Sequence, residues 1–122
     1  MTRVKRGVIK RKKHREIIKS TKGYYSVNRR SYRAAKEQLL KSLSYSYRDR
    51  KCKKREFRRL WIIRINAAAR ANGLSYNEFI NGLKKANVEI NRKVLSELAI
   101  SDPTAFQKLA EVARGQLSAL SS

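Results

Sequence analysis

Residues 48–72 read Arg48-Asp-Arg-Lys-Cys-Lys-Lys-Arg-Glu-Phe-Arg-Arg59 and then Leu60-Trp-Ile-Ile-Arg-Ile-Asn-Ala-Ala-Ala-Arg-Ala-Asn72, and the change of pattern between the two halves decides the fold. Neither half contains Pro or Gly, and both are rich in helix-forming residues, so both predict α-helix. In the first half eight of twelve residues are basic. They point all round the helix and leave no apolar stripe to bury. From Phe57 onward the pattern differs: Phe57, Leu60, Trp61, Ile65, Ala68 and Ala69 follow the i, i+3, i+4 rhythm of an amphipathic helix. That end is expected to dock on a core, with Trp61 as a packing residue, and Gly73 after Asn72 is expected to close the helix.

The breaker-free stretch begins at Tyr24. A helix continuous from there to Asn72 would be about 70 Å long, with the Ser-rich segment 42–46 as the place for a bend. Its few acids suggest local pairs: Glu37 with Lys41 and Asp49 with Lys53 at i,i+4, and Glu56 with Arg59 at i,i+3. Residues 1–22 hold ten basic residues and one acid. A helix is expected from about residue 9, ending at a left-handed glycine cap at Gly23, with the first eight residues as an unstructured arm. Beyond residue 73 three short helices are expected. Ser75-Tyr-Asn-Glu78 is a capping box before Phe79, Ile80 and Leu83, with Gly82 permitting close helix approach. Asn87–Ile90 reads as extended. Asn91 caps a helix carrying Val94, Leu95, Leu98 and Ala99. Asp102-Pro103 is an N-cap with Pro at the first helical position, before Phe106, Leu109, Ala110, Ala113 and Leu117; residues 118–122 are expected to fray. The fold class is therefore all-α: a basic N-terminal arm and long helix extension (residues 1–56), followed by a small C-terminal helical bundle (residues 57–122).

The charge divides further along, after residue 72. Residues 1–72 carry 25 Lys/Arg against four Asp/Glu, whereas residues 73–122 carry six against five. Such a polycation repels itself and is suited to a polyanionic partner, with nucleic acid the leading candidate. One cysteine, Cys52, excludes an internal disulfide framework and fits a reducing compartment. One His with one Cys makes a structural zinc site unexpected. No apolar run approaches the roughly 20 residues of a membrane span. The basic N-terminus lacks the apolar stretch of a signal peptide, so the chain is expected to act in the compartment where it is made.

Enzyme chemistry has little to work with. There is no Gly-rich phosphate loop, nucleophile elbow or His-Glu-x-x-His, so neither catalysis nor a cofactor is expected. Cys52, although set among Lys and Arg, is read as incidental. Nucleic-acid chemistry is abundant. Tyr24, Tyr25, Tyr32, Tyr45 and Tyr47 are interleaved with the charge, and tyrosine rings and arginine planes stack on bases; the first three are taken as nucleic-acid contacts, and His14 as a phosphate or base contact. A basic zipper needs apolar heptads after the basic region, and none follow. Charge spread round a long helix and an arm suits folded RNA, approached by phosphate from several sides, with ordering on binding.

At Lys54-Arg-Glu-Phe-Arg-Arg-Leu-Trp61-Ile-Ile-Arg64-Ile-Asn66-Ala-Ala-Ala-Arg70 the sequence resembles the bacterial and plastid L-twenty family of large-subunit ribosomal proteins. Val4-Lys-Arg-Gly7, Lys22-Gly-Tyr-Tyr25, Tyr47-Arg-Asp-Arg50, Phe79-Ile-Asn-Gly-Leu-Lys84 and Asn91-Arg-Lys-Val-Leu95 resemble family segments in the same order and spacing. Ile63 and the pair Lys51-Cys52 depart from the family pattern. The resemblance implies an all-helical protein whose basic extension threads between segments of large-subunit ribosomal RNA. It implies neighbouring ribosomal proteins as partners, binding early in subunit assembly and, in some members, repression of translation of their own messenger RNA. Location in the cytoplasm, or in the plastid stroma for a plastid source, follows from it.

The expected mechanism is phosphate neutralisation. In the arm and first helix it assigns RNA contacts to Arg3, Lys5, Arg6, Lys10, Arg11, Lys12, Lys13, His14, Arg15, Lys19 and Lys22. Along the rod it assigns Tyr24, Tyr25, Arg29, Arg30, Tyr32, Arg33, Arg48, Arg50, Lys54, Arg55, Arg58 and Arg59. The C-terminal candidates are Asn81, Lys84, Lys85, Arg92 and Lys93. Two other readings stand beside it: a regulator that binds its own messenger RNA, which uses the same chemistry and can coexist with the ribosomal role, and a DNA-compacting nucleoid protein, which would show equal affinity for duplex DNA and ribosomal RNA.

Overall fold

The structure is a computed structural model and describes residues 3–119. Among them are five α-helices, one 3-10 turn and no strand: α1 (Gly7–Ser20), the 3-10 turn (Ser26–Arg29), α2 (Tyr32–Ala71), α3 (Tyr76–Lys85), α4 (Arg92–Ser101) and α5 (Pro103–Ser118). The all-α expectation holds. The chain divides into two compact units between Cys52 and Lys53, within α2.

In the first unit α1 starts two residues before the expected position and ends three before Gly23. Thr21 ends it. Its N–H donates to the Ile17 carbonyl (3.1 Å), and its hydroxyl donates to the Ile17 and Ile18 carbonyls (3.3 and 3.1 Å). A hydroxyl that satisfies the last carbonyls in this way can be buried, and Thr21 is. Gly23 takes φ +86° in the turn that follows, closed by the Tyr24 N–H on the Thr21 carbonyl (3.1 Å). No residue of α1 itself is buried.

Residues 24–31 are not helical, contrary to the breaker-free reading. Ser26, Val27, Asn28 and Ser31 are all weak helix formers. Ser26 adopts a left-handed φ of +53°, and only a 3-10 turn forms before α2. From Tyr32 the helix is unbroken through Ser42–Ser46, where the Ser42 hydroxyl donates back to the Gln38 carbonyl (2.9 Å). Its ion pairs differ from those expected. Glu37 pairs with Arg33 (3.9 Å) and Asp49 with Arg48 (3.0 Å). Both pairs are solvent-exposed and contribute little. The contact that ties α1 to the start of α2 is aromatic: the His14 and Tyr32 rings stack with centroids 3.6 Å apart and planes 11° apart.

The second unit holds the apolar core: Ile65, Ala69, Leu74, Phe79, Leu83, Leu95, Phe106, Ala110 and Ala113. α2 supplies only Ile65 and Ala69 as buried members. Phe57 and Leu60 are exposed and Trp61 is half-buried, 6.4 Å from Phe57 between ring centroids. The amphipathic rhythm thus begins before the core does. The core expectation for Trp61 is corrected to partial burial outside the core cluster.

A left-handed Gly73 (φ +76°) lets the Leu74 N–H reach the Ala69 carbonyl (3.0 Å), closing α2 and sending Leu74 into the core. Asn87 (φ +54°) ends α3 in the same way, through the Val88 N–H to the Leu83 carbonyl (3.0 Å). The three N-caps lie where expected. Ser75 Oγ accepts from the Glu78 N–H (3.3 Å) while Glu78 Oε2 accepts from the Ser75 N–H (2.8 Å). Asn91 Oδ1 accepts from the Val94 N–H (2.9 Å), and Asp102 Oδ1 from the Ala105 N–H (3.0 Å). The α5 helix packs against α3 and α4. At the α3–α5 contact Phe79 and Phe106 stack at 4.9 Å, worth about 1 kcal/mol beyond the area they bury. The last three residues of the segment expected to fray lie outside the described residues.

Three outcomes follow. A Cβ at Gly82 would lie 2.5 Å from the Ala113 carbonyl oxygen and 2.7 Å from its Cα. Gly→Ala in a helix ordinarily gains up to about 1 kcal/mol, but overpacking against backbone costs about 1–3 kcal/mol or more. Gly82→Ala is therefore expected to lower the melting temperature of the full chain followed by circular dichroism. Accepted hydrogen bonds from Ser75 hold the Glu78 carboxyl below its ordinary range, and those from Thr104 and Ala105 do the same for Asp102. Depressed folded values give stability that is complete above the ordinary range of about 4 and is lost as pH falls through the folded values. The fall in melting temperature on acidification below about pH 4 should be shallower in Glu78→Gln/Asp102→Asn, whose side chains can still cap. Finally, a 14-residue helix with no buried residue is marginal alone, so Tyr32→Ala should speed amide exchange across residues 7–20 and Tyr32→Phe should not.

Candidate nucleic-acid interface

Four carboxylates cannot compensate 25 cations in residues 1–72, and the fold does not bury that charge. Of the candidate cations in the first unit, Arg3, Lys5, Arg6, Lys10, Arg11, Lys12, Lys13, Arg15, Lys19, Lys22, Arg29, Arg30, Arg33, Arg48 and Arg50 are all exposed. Those on the α2 portion of the second unit, Lys54, Arg55, Arg58 and Arg59, are exposed as well. Lys36, Lys41, Lys51, Lys53, Arg64 and Arg70 were not singled out by the sequence reading and are equally exposed. The charge itself is the signal that would have included them.

The α1 helix is arranged for an anion rather than for a protein core. Its N-terminus has no side-chain cap and no acid in its first turn. The unsatisfied N–H groups there and the positive end of the helix dipole favour a phosphate. A concavity of about 560 Å³ lies beside this terminus, lined by Lys5, Gly7, Val8, Arg11, Lys12 and Arg15. A second, of about 280 Å³, is lined by Arg6, Ile9, Lys10, Lys13, His14 and Tyr32. Because His14 and Tyr32 stack on each other, each has one ring face already engaged. Sequence reasoning missed this pair, because two aromatics 18 positions apart with a turn between them carry no local signal.

The remaining tyrosines differ among themselves. Tyr24 is half-buried and Tyr25 is 88% exposed. The guanidinium of Arg48 lies 4.8 Å from the Tyr45 ring centroid, and the Lys51 ammonium 5.4 Å from that of Tyr47. These exposed cation–π contacts are worth about 0.5–1 kcal/mol each. They order the cations along the helix surface without neutralising them. A hydrogen bond to Asp49 pushes the Arg48 pKa further up, so its charge is permanent.

In the second unit Asn81, Lys84, Lys85 and Lys93 are exposed, while Arg92 is half-buried and its Nε donates to the Tyr76 hydroxyl (2.9 Å). Arg92 therefore ties the start of α4 to the start of α3, with part of its guanidinium left over. Arg114, which the sequence reading did not select, donates to the Asn72 carbonyl at the end of α2; a cation there also suits the helix dipole. Among the described residues no group of three or more His, Cys, Asp or Glu is placed to hold a metal ion. None of their helices is long and apolar enough to cross a membrane.

The family described as ribosomal protein L20 matches residues 3–109. The large ribosomal subunit protein bL20 of Carboxydothermus hydrogenoformans is 55% identical over 117 residues, spanning 96% of this chain and all of that protein. A match of this extent, over a chain whose basic extension and small helical core are both present, leaves one assignment: the chain belongs to the ribosomal protein L20 family.

Proposed function

We propose that the chain is a structural constituent of the large ribosomal subunit that binds ribosomal RNA directly, by neutralising phosphate, and aids early assembly of the subunit. The observation that carries the reading is the first helix. It has no buried residue, no cap and no acid in its first turn, and each of its Lys and Arg side chains is exposed. A helix of that kind gains little from its own protein and much from phosphate on several sides. Arg3, Lys5, Arg6, the cations of α1 and those of α2 from Arg33 to Arg59 bring RNA strands together by screening their repulsion. That is the physical requirement of an assembly protein.

The second unit supports a further role. Its core and three side-chain caps give a folded surface on which Asn81, Lys84, Lys85 and Lys93 are displayed. Such a surface can recognise RNA shape, in the ribosome or in the protein's own messenger, where binding would repress translation. Large-subunit neighbours among the ribosomal proteins complete the set of partners. No residue is assigned a catalytic role.

Binding to large-subunit ribosomal RNA should weaken linearly in log affinity against log salt. Ten neutralised phosphates give a slope of about −7 to −9. Replacing Lys12 and Lys13 together with Gln should make it shallower by about 1–2. Salt-independent binding, or equal affinity for duplex DNA at the same salt, would overturn the proposal. In a high-salt sedimentation gradient the chain should remain with the large subunit after loosely held proteins are lost.

A further inference from the structure

The loop between α1 and α2 offers more than its cations. Tyr24, Tyr25, Arg29 and Arg30 help to line a concavity of about 810 Å³ formed by residues 23–31 alone. Its size falls in the range of about 300–1,000 Å³ typical of small-ligand sites. The Tyr25 ring is 88% exposed and makes no ring or cation–π contact among the described residues. The backbone beside it is held in an uncommon shape. Ser26, the next residue, has φ +53°, a conformation that costs a non-glycine residue free energy and tends to mark ligand sites. That turn starts the 3-10 segment, and the segment brings Arg29 and Arg30 round to the concavity that Tyr25 lines. No carboxylate occurs between Glu16 and Glu37.

We infer that this loop is a binding site for one unstacked nucleotide of RNA, its base lying on the Tyr25 ring and its phosphates on Arg29 and Arg30. The inference rests on the RNA-binding reading and deepens it. An open aromatic face is wasted on a bare phosphate, and a paired base inside a duplex offers no face to stack on. An unpaired base offers both a face and two flanking phosphates. The concavity beside the α1 terminus lacks an aromatic ring, and the one at His14 and Tyr32 has its rings stacked on each other. Stacking tolerates any base, so the site would select for the absence of pairing rather than for sequence.

The test uses the full chain and large-subunit ribosomal RNA. Ultraviolet cross-linking with mass spectrometry should yield an adduct between Tyr25 and a base outside any duplex. Loss of one stacked base should weaken binding about 5- to 100-fold in Tyr25→Ala with the salt slope unchanged, while Tyr25→Phe should bind as the parent does. Arg29→Gln/Arg30→Gln should instead make the slope shallower by about 1–2. Parent-like binding by Tyr25→Ala would overturn the site. So would adducts of Tyr25 only to duplex nucleotides, or in intact ribosomes only to another protein. Each of those results is compatible with a steep salt slope in the parent chain, so this site can fail while the RNA-binding reading stands.

Discussion

The constraint on which the rest depends is uncompensated like charge. With 25 cations and four carboxylates in residues 1–72, no arrangement of that sequence alone brings its electrostatic energy down. Local pairs such as Arg33 with Glu37 and Arg48 with Asp49 engage two of the cations, at exposed positions where water and salt screen the gain. The structure that results is the one such a sequence can afford. Its helices are rich in Lys and Arg, whose side chains are exposed to solvent, and rings are used to order cations rather than to build a core. Thr21 and Ala35 are buried hydrophobic or hydroxyl positions in an otherwise open unit, and the stack of His14 on Tyr32 does what a buried apolar cluster would do elsewhere.

Apolar burial is concentrated in the second unit, most of it beyond residue 72, where the charge is close to balanced. There the backbone is organised by side chains near in sequence. Ser75 with Glu78, Asn91 and Asp102 start α3, α4 and α5, and left-handed residues at 73 and 87 end α2 and α3. These devices place Phe79 on Phe106 and bring α3 onto α5. They also leave Lys84, Lys85 and Lys93 on the surface, where each can meet an anion without disturbing the core.

What was legible in the sequence was what local physics controls. The caps could be read because an N-cap and its partner lie within three residues. The core of the second unit could be read because its apolar spacing is helical and the charge beyond residue 72 is low. The cation exposure followed from composition. What was not legible depended on distance or on the absence of a partner. Periodicity gave Phe57 and Leu60 an apolar face, but it does not reveal whether anything covers that face. Lack of Pro and Gly suggested helix at residues 24–31, whereas a left-handed Ser26 in a run of weak helix formers breaks it there. The contact between His14 and Tyr32 is created by a turn whose shape no spacing rule supplies. At the candidate interface the sequence picked out the chemistry, and the fold separated the tyrosines into one that is stacked, two that carry cations, one, Tyr24, that is half-buried and one, Tyr25, that is left open.

The approach of Gly82 to Ala113 has a consequence for how this protein can vary. Most tight contacts are between side chains, and a larger residue on one side can be answered by a smaller one on the other. Here the obstruction includes the main-chain oxygen and Cα of residue 113, atoms that every amino acid carries. Trimming Ala113 to glycine would leave both in place. The spacing of α3 and α5 is thus limited by peptide rather than by side-chain volume, a mechanical stop that no second substitution at position 113 removes. Only moving the two helices apart would make room, and that would loosen the phenylalanine pair beside them.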